Sequence, residues 1–219
     1  MQDSRAEHAL LPSPLSCSGL FSRAPDGSVS GMNTSSAAAH QVDYLSVADY
    51  LEEEQSARER HEYVDGHVYA MAGASEQHEV VALNLSASLL AHMRGRGCRV
   101  FKGDMKVRLR LNETDLFYYP DIMVCCDPAD TQAYYKERPR LIVEVMTDYK
   151  ADHVEKLFAY QQIAGLEEYL VISQDPEEAR AWLYRKESNW AMADGAPDGQ
   201  VLLNSIGFAT PLRELYVME

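Results

Sequence analysis

The chain has 219 residues, 46% of them hydrophobic and 25% charged, the proportions of one soluble globular domain with a sizeable core rather than of a fibrous or extended chain. No apolar run approaches the roughly 20 residues that a membrane span requires, and the opening Met1-Gln2-Asp3-Ser4-Arg5 lacks the basic-then-apolar order of a signal peptide. A net charge of −14 argues against a protein that coats nucleic acid through bulk electrostatics, though not against one that meets a phosphodiester at a single local site.

Residues 1–40 are rich in Ser, Ala, Pro and Gly without apolar periodicity and read as a disordered extension, with Met32 a candidate for the natural start. Order begins at Leu45-Ser46-Val47-Ala48-Asp49-Tyr50. There Ser46 can cap a helix, Asp49 can answer it, and Leu45 and Tyr50 stand where a hydrophobic staple belongs. Segments 60–64 and 67–71 flank Asp65-Gly66, a two-residue hairpin signal. Ser75 then caps a second helix with Val81, Leu85 and Leu89 along one stripe.

Residues 99–111 alternate: Lys102, Asp104, Lys106, Arg108 and Arg110 share one parity, and Phe101, Met105, Val107, Leu109 and Leu111 the other. That period of two predicts one half-buried strand with a cationic face, either simply solvated or touching phosphate. Strands follow at 117–126 and Leu141–Met146, then a helix over 152–164 stopped by Gly165. Further strands are expected at 169–173 and Ala181–Arg185 across an Asp175-Pro176 turn. A closing strand with a short final turn is expected over 201–219. Trp182 and Trp190 read as packing residues. Alternating helices and strands around a mixed sheet predict one α/β domain from about 40 to 219.

Four cysteines (Cys17, Cys98, Cys125, Cys126) offer no C-x-x-C pair and no His spacing suited to zinc. Cys125 and Cys126 lie in an apolar run, so buried free thiols and a reducing cytoplasm are the expectation.

Two carboxylates interrupt sequence that wants to be buried. Asp121 opens an apolar strand after Pro120, and Glu144 breaks the run Leu141-Ile142-Val143-Glu144-Val145-Met146. A buried unpaired carboxylate costs several kcal/mol or turns neutral, and a hard divalent cation compensates it well. If the two strands are neighbours about 4.8 Å apart, both side chains can reach a Mg²⁺ at about 2.1 Å. On the following helix Asp152, Lys156 and Tyr160 are spaced i, i+4, i+8 and form one polar stripe. Lys156 can therefore either orient a water or stabilise phosphorane charge beside the strand, or simply pair with Asp152 on the surface.

The order of a hairpin with Glu62 and Gly66, then Pro120-Asp121, then Val143-Glu144-Val145, then Asp152-x-x-x-Lys156-x-x-x-Tyr160 resembles a bacterial family described as putative restriction endonucleases. That family lies within the PD-(D/E)XK nuclease superfamily, and many members carry only the label of a domain of unknown function. The resemblance spans about residues 45–216. It implies a restriction-endonuclease-like fold, a central mixed β-sheet flanked by helices, with Asp121 and Glu144 as metal ligands and the Val145 carbonyl as a third. Glu62 matches the family's early acidic residue near the metal. His78 matches a family histidine, although helix capping or core packing accounts for it equally. The usual lysine two residues after the second acid is here Met146, and by the resemblance the amine is displaced to Lys156, with Lys150 the alternative.

The expected activity is thus Mg²⁺-dependent (or Mn²⁺-dependent) hydrolysis of DNA phosphodiesters, with Lys156, Asp121, Glu144 and Glu62 at the centre of the chemistry. The alternatives are a non-catalytic binding module that keeps the fold, and a hydrolase acting on RNA or another phosphodiester. Homodimerisation fits a nuclease that cuts both strands, though no surface signal in the sequence points to it.

Overall fold

The computed structural model describes residues 44–146 and 151–218, with the backbone alone at 151–154. The expectations for residues 1–40, for Met32 and Cys17, for the Lys150 amine and for the side chain of Asp152 lie outside the described residues.

Helix α1 (Val47–Glu54) starts as its sequence dictates. Ser46 Oγ accepts from the Asp49 amide at 3.2 Å and donates to Asp49 Oδ2 at 2.6 Å. Leu45 packs beside buried Tyr50, which completes the staple. Strands β1 (His61–Val64) and β2 (His67–Ala70) form the expected hairpin, and both turn residues are left-handed, Asp65 at φ 48° and Gly66 at φ 84°. Those two positive values define the type I′ turn that matches strand twist. Helix α2 (Glu76–Met93) is capped by Ser75 and buries Val81, Leu85 and Leu89.

The alternating segment 99–111 is not one strand. It divides into β3 (Arg99–Lys102) and β4 (Lys106–Leu111), which belong to different sheets. Gly103, at φ 73°, turns the chain between them, a conformation open to glycine at little cost. Segment 117–126 likewise divides, into β5 (Thr114–Tyr118) and β6 (Ile122–Cys125), at Tyr119-Pro120-Asp121. The two crossings meet, because the Gly103 amide donates to the Asp121 carbonyl at 2.9 Å. After a two-residue β7 (Tyr135–Lys136) come β8 (Leu141–Met146), α3 (Ala151–Tyr160), β9 (Glu168–Ser173), β10 (Ala181–Arg185) and β11 (Met192–Asp194). Helix α3 ends at Tyr160, short of the expected 164. Tight i→i+3 bonds from the Gln162 and Ile163 amides draw its last turn closed. Gly165 takes no left-handed conformation and so does not act as the stop. Segment 201–219 makes a hairpin of two strands, β12 (Gln200–Leu203) and β13 (Phe208–Pro211), before a final 3₁₀ turn.

The strands form a six-stranded sheet, β11-β10-β9-β8-β6-β3, and a five-stranded one, β2-β1-β5-β4-β7. Both are mixed, through the parallel pairs β8–β9 and β4–β7. Side chains of the larger sheet alternate between two cores. Ile122, Val124, Leu141, Val143, Leu170 and Ile172 face α2 and the β12–β13 hairpin. Met123, Cys125, Ile142, Tyr169 and Val171 face α3 and the apolar side of β4 and β5. The fold is therefore α/β, with helices on both faces of a central mixed sheet, as expected. Trp182 and Trp190 pack against the second core.

The thiols depart in part from expectation. Cys98 and Cys126 form a disulfide, so the argument for a reducing compartment cannot rest on them. The register explains the pairing: β3 runs antiparallel to β6 with Arg99 opposite Cys125, which sets Cys98 and Cys126 next to each other at 4.1 Å between Cα atoms. Cys125 is free and buried, and burial pushes its thiol up to about 12. Among the described residues no helix is long and apolar enough to cross a membrane.

Candidate metal centre

The centre is built where β6 and β8 run side by side. Their register, Ile122 opposite Val143, sets Asp121 across from Glu144 at the next step. By the alternation along each strand, Asp121 shares a face with Met123 and Cys125, and Glu144 shares a face with Ile142. Both acids therefore look toward α3 and the smaller sheet. The backbone ties them together: the Val145 amide donates to Asp121 Oδ2 at 2.7 Å, and the Asp121 amide donates to Glu144 Oε2 at 3.4 Å. A strand residue sends its N–H and C=O to the same side, so the Val145 carbonyl leaves β8 toward Asp121.

Helix α3 brings the polar stripe onto this pair. Tyr160, one of the largest fully buried side chains, donates its hydroxyl to Glu144 Oε1 at 2.9 Å. Lys156 Nζ lies 3.6 Å from Glu144 Oε1 and donates to Glu62 Oε1 at 2.9 Å. It also stands 5.5 Å from the centre of the Tyr118 ring. Glu62 comes from β1, and its Oε1 also receives the Tyr119 amide at 3.4 Å. From α2, His78 Nε2 lies 3.0 Å from Asp121 Oδ2, and its Nδ1 is buried without a hydrogen-bond partner, 3.8 Å from Glu79 Oε1. The five residues thus come from five separate elements or their margins: Glu62 from β1, His78 from α2, Asp121 from the lead into β6, Glu144 from β8 and Lys156 from α3.

Electrostatically the centre holds an excess of acid. Removal from water pushes the Glu144 carboxyl up to about 8; Lys156 opposes this, while Asp121 adds to it. The hydrogen bond to Asp121 raises the His78 imidazole above its ordinary value, although its burial pulls the other way. Three carboxylates thus face one ammonium and one imidazole. All the acid donors are hard oxygens, the set that Mg²⁺ or Mn²⁺ prefers. Among the described residues no three His, Cys, Asp or Glu side chains form a ready coordination shell. Two carboxylates with a backbone carbonyl and waters nevertheless fit Mg²⁺, which keeps much of its own hydration.

The sequence singled out Asp121, Glu144, Val145, Glu62 and Lys156, and the structure brings all of them together with His78. Tyr160 entered only as a stripe partner; its burial against Glu144 gives it a part in holding that acid. A second group was not anticipated at all. Tyr119 donates to Glu54 Oε1 at 2.8 Å and accepts from buried Lys106 at 3.0 Å, and Glu54 also takes His61, whose Nδ1 is 3.1 Å from Oε2. Its members come from α1, β1, β4 and the β5–β6 crossing, so no local spacing announces it.

The family model described as Uma2, putative restriction endonuclease, matches residues 47–212. Among curated proteins, the uncharacterized protein slr1290 of Synechocystis sp. is 30% identical over 175 residues, covering 78% of this chain and 91% of its own. The uncharacterized protein sll1609 of the same organism is 35% identical over 135 residues, covering 59% of this chain and 75% of its own. Among solved structures, a putative nuclease belonging to DUF820 from Anabaena variabilis is similar in fold. Its TM-score is 0.58 at 16% identity, covering 77% of this chain and 96% of that one.

Proposed function

Starting from the fact that the chain belongs to the Uma2 putative restriction endonuclease family, we propose that it is a Mg²⁺-dependent (or Mn²⁺-dependent) endonuclease that hydrolyses DNA phosphodiester bonds. The observation that carries this reading is the placement of Asp121 and Glu144 opposite each other on one face of neighbouring strands. The 2.7 Å bond from the Val145 amide to Asp121 fixes their spacing.

Asp121, Glu144 and the Val145 carbonyl would hold the cation, which when bound supplies Lewis-acid polarisation of the phosphate and acidification of a water. The remaining work belongs to the side chains. Lys156 hydrogen-bonds the attacking water and places positive charge beside the phosphate oxygens as negative charge builds on them. Glu62 holds Lys156 at 2.9 Å, and Tyr160 holds Glu144 at 2.9 Å. His78 steadies Asp121 through Nε2, 3.0 Å from Oδ2. Cutting both strands of a duplex would call for two copies of the chain.

The test is nicking of supercoiled DNA, with RNA in parallel, in Mg²⁺, Mn²⁺ and chelator. Asp121→Ala and Glu144→Ala are each expected to abolish cleavage, and robust cleavage by the doubly substituted protein overturns the reading. A non-catalytic binding module is the second reading, favoured by Met146 at the usual lysine position and by the engagement of Lys156 with Glu62. Titration calorimetry that finds no Mg²⁺ or Mn²⁺ uptake supports it.

A further inference from the structure

Along β3 and β4, Lys102, Arg108 and Arg110 are matched to carboxylates, while exposed Arg99 donates to the Asp130 carbonyl at 2.8 Å. Lys102 donates to Glu79 at 2.7 Å, Arg108 to Asp115 at 3.0 Å, and Arg110 lies 3.7 Å from both Glu113 and Asp115. Lys106 is different. It is only 5% exposed, and its ammonium donates to the Tyr119 hydroxyl at 3.0 Å and lies 5.0 Å from that ring's centre. Among the described residues no carboxylate stands within ion-pair distance of it. Glu54 is one step removed, accepting from the Tyr119 hydroxyl, and Asp104 pairs with Arg60 at 3.5 Å. An ammonium carries three donors, so this buried cation has a neutral acceptor for one of them. A buried charge in that condition is costly unless a counter-ion arrives.

Lys106 and Tyr119 line a cleft of about 720 Å³, with Arg58 and Arg60 on its wall and Tyr134, 56% exposed, at its rim. A second cleft of about 480 Å³ contains Asp121 and His78, and shares Arg60, Met71, Gly73 and Asp104 with the first. The two clefts adjoin along these shared residues, with Lys106 in one and Asp121 in the other. The larger cleft has the size of a small-molecule site, roughly 300–1,000 Å³. That is room for a nucleotide unit and not for a duplex.

We propose that Lys106 is the base of a phosphate subsite that binds the phosphate next to the bond being cut, on a strand that enters unpaired. The proposal rests on the nuclease reading above for the meaning of the neighbouring centre, but not for the anion chemistry of Lys106 itself. The Lys106 ammonium takes the phosphate oxygens from below, Arg58 and Arg60 from the side, and Tyr134 offers a ring face to the attached base. Glu54, Glu59 and Asp104 also line the wall, and their charge weakens the attraction of an anion to the cleft.

The test uses the full chain in chelator, so that binding is separated from cleavage. A fluorescein-labelled ten-residue oligothymidylate is titrated against wild type and Lys106→Met at several salt concentrations. Lys106→Met is expected to weaken binding about tenfold and to reduce the log–log salt slope by about 0.7, the value for one phosphate contact on a single strand. The same variant should melt at or above the wild-type temperature, since a buried charge replaced by an apolar chain of similar length is neutral or stabilising. Inorganic phosphate should raise the melting temperature of wild type but not of the variant. If Lys106→Met fails to fold, Arg58→Gln, at an exposed position, should lower the salt slope by the same step. Unchanged oligonucleotide binding in both variants overturns the proposal. A phosphate response without any loss of oligonucleotide binding overturns the strand assignment, and equal Lys106 dependence with a blunt duplex overturns the requirement for an unpaired strand. Lys106-dependent binding by a chain that never cuts would sink the nuclease reading and leave this one standing; cutting that ignores Lys106 would do the reverse.

Discussion

At Glu144, burial raises the carboxyl to about 8 even though Lys156 lies 3.6 Å away, so burial favours the protonated form of this acid in the metal-free protein. In the unfolded chain the same group titrates near its ordinary value of about 4.3. Between those two values the folded state holds more protons than the unfolded state, and stability falls as pH rises. His78 acts in the same direction, because a raised imidazole lends stability at low pH that is lost as pH climbs through its folded value. Melting temperature in chelator should therefore decline from about pH 5 to pH 8. Glu144→Gln should flatten most of that decline, and His78→Gln a smaller part. A melting temperature that rises over this interval would contradict the assignment. Metal uptake requires the ionised form, so the stabilisation by added Mg²⁺ should grow with pH over the same interval. The amine can be assigned by comparing Lys156→Met with Lys150→Met. Loss of at least about a hundredfold in kcat is expected for the first, with little change in the second.

Among the elements, the β1–β2 hairpin has the task of holding Glu62 beside Lys156. Gly66 is left-handed there, and a Cβ at that position would collide with the Tyr44 ring. Gly66→Ala is expected to cost about 2 kcal/mol or more, read as a fall of several degrees in melting temperature. Nuclease activity should fall further than stability alone accounts for, as Glu62 loosens. This hairpin was legible in the sequence because Asp65-Gly66 acts locally. The bounds of β8 were legible for a similar reason, its run of apolar residues closing at Met146. What misled at 99–111 was the parity itself: the alternation continues unbroken across Gly103, although the strand does not, because the chain changes sheets without changing the side its apolar residues face. The disulfide depends on the β3–β6 register between residues 28 apart, which no spacing reveals. For the site, the i, i+4 step from Lys156 to Tyr160 and the interruption of β8 by Glu144 carried most of what could be read. The Glu54–Tyr119–Lys106 group could not be, since only tertiary contact assembles it.

For the molecule as a whole, a charge of −14 implies weak, local attraction to nucleic acid. The log–log salt slope of oligonucleotide binding should be small, about −1 to −3, against the value near −10 of proteins that grip many phosphates. Cation binding should be felt globally too. At a hundredfold excess over Kd it stabilises the fold by about 2.7 kcal/mol, which corresponds to a rise of about 5–10 °C for a domain of this size. Differential scanning fluorimetry with Mg²⁺ and with the Asp121→Ala chain would check it, the substituted chain showing no such rise.

The hydrogen bond from the Gly103 amide to the Asp121 carbonyl joins the two places where the backbone passes between sheets. Glu62 stands on one sheet and Glu144 on the other, so this one amide is a built-in gauge of whether the halves of the candidate metal centre are in register. Its deuterium exchange should slow when cation binds and quicken when the Glu62 hairpin is loosened, reporting assembly of the centre without any substrate being present.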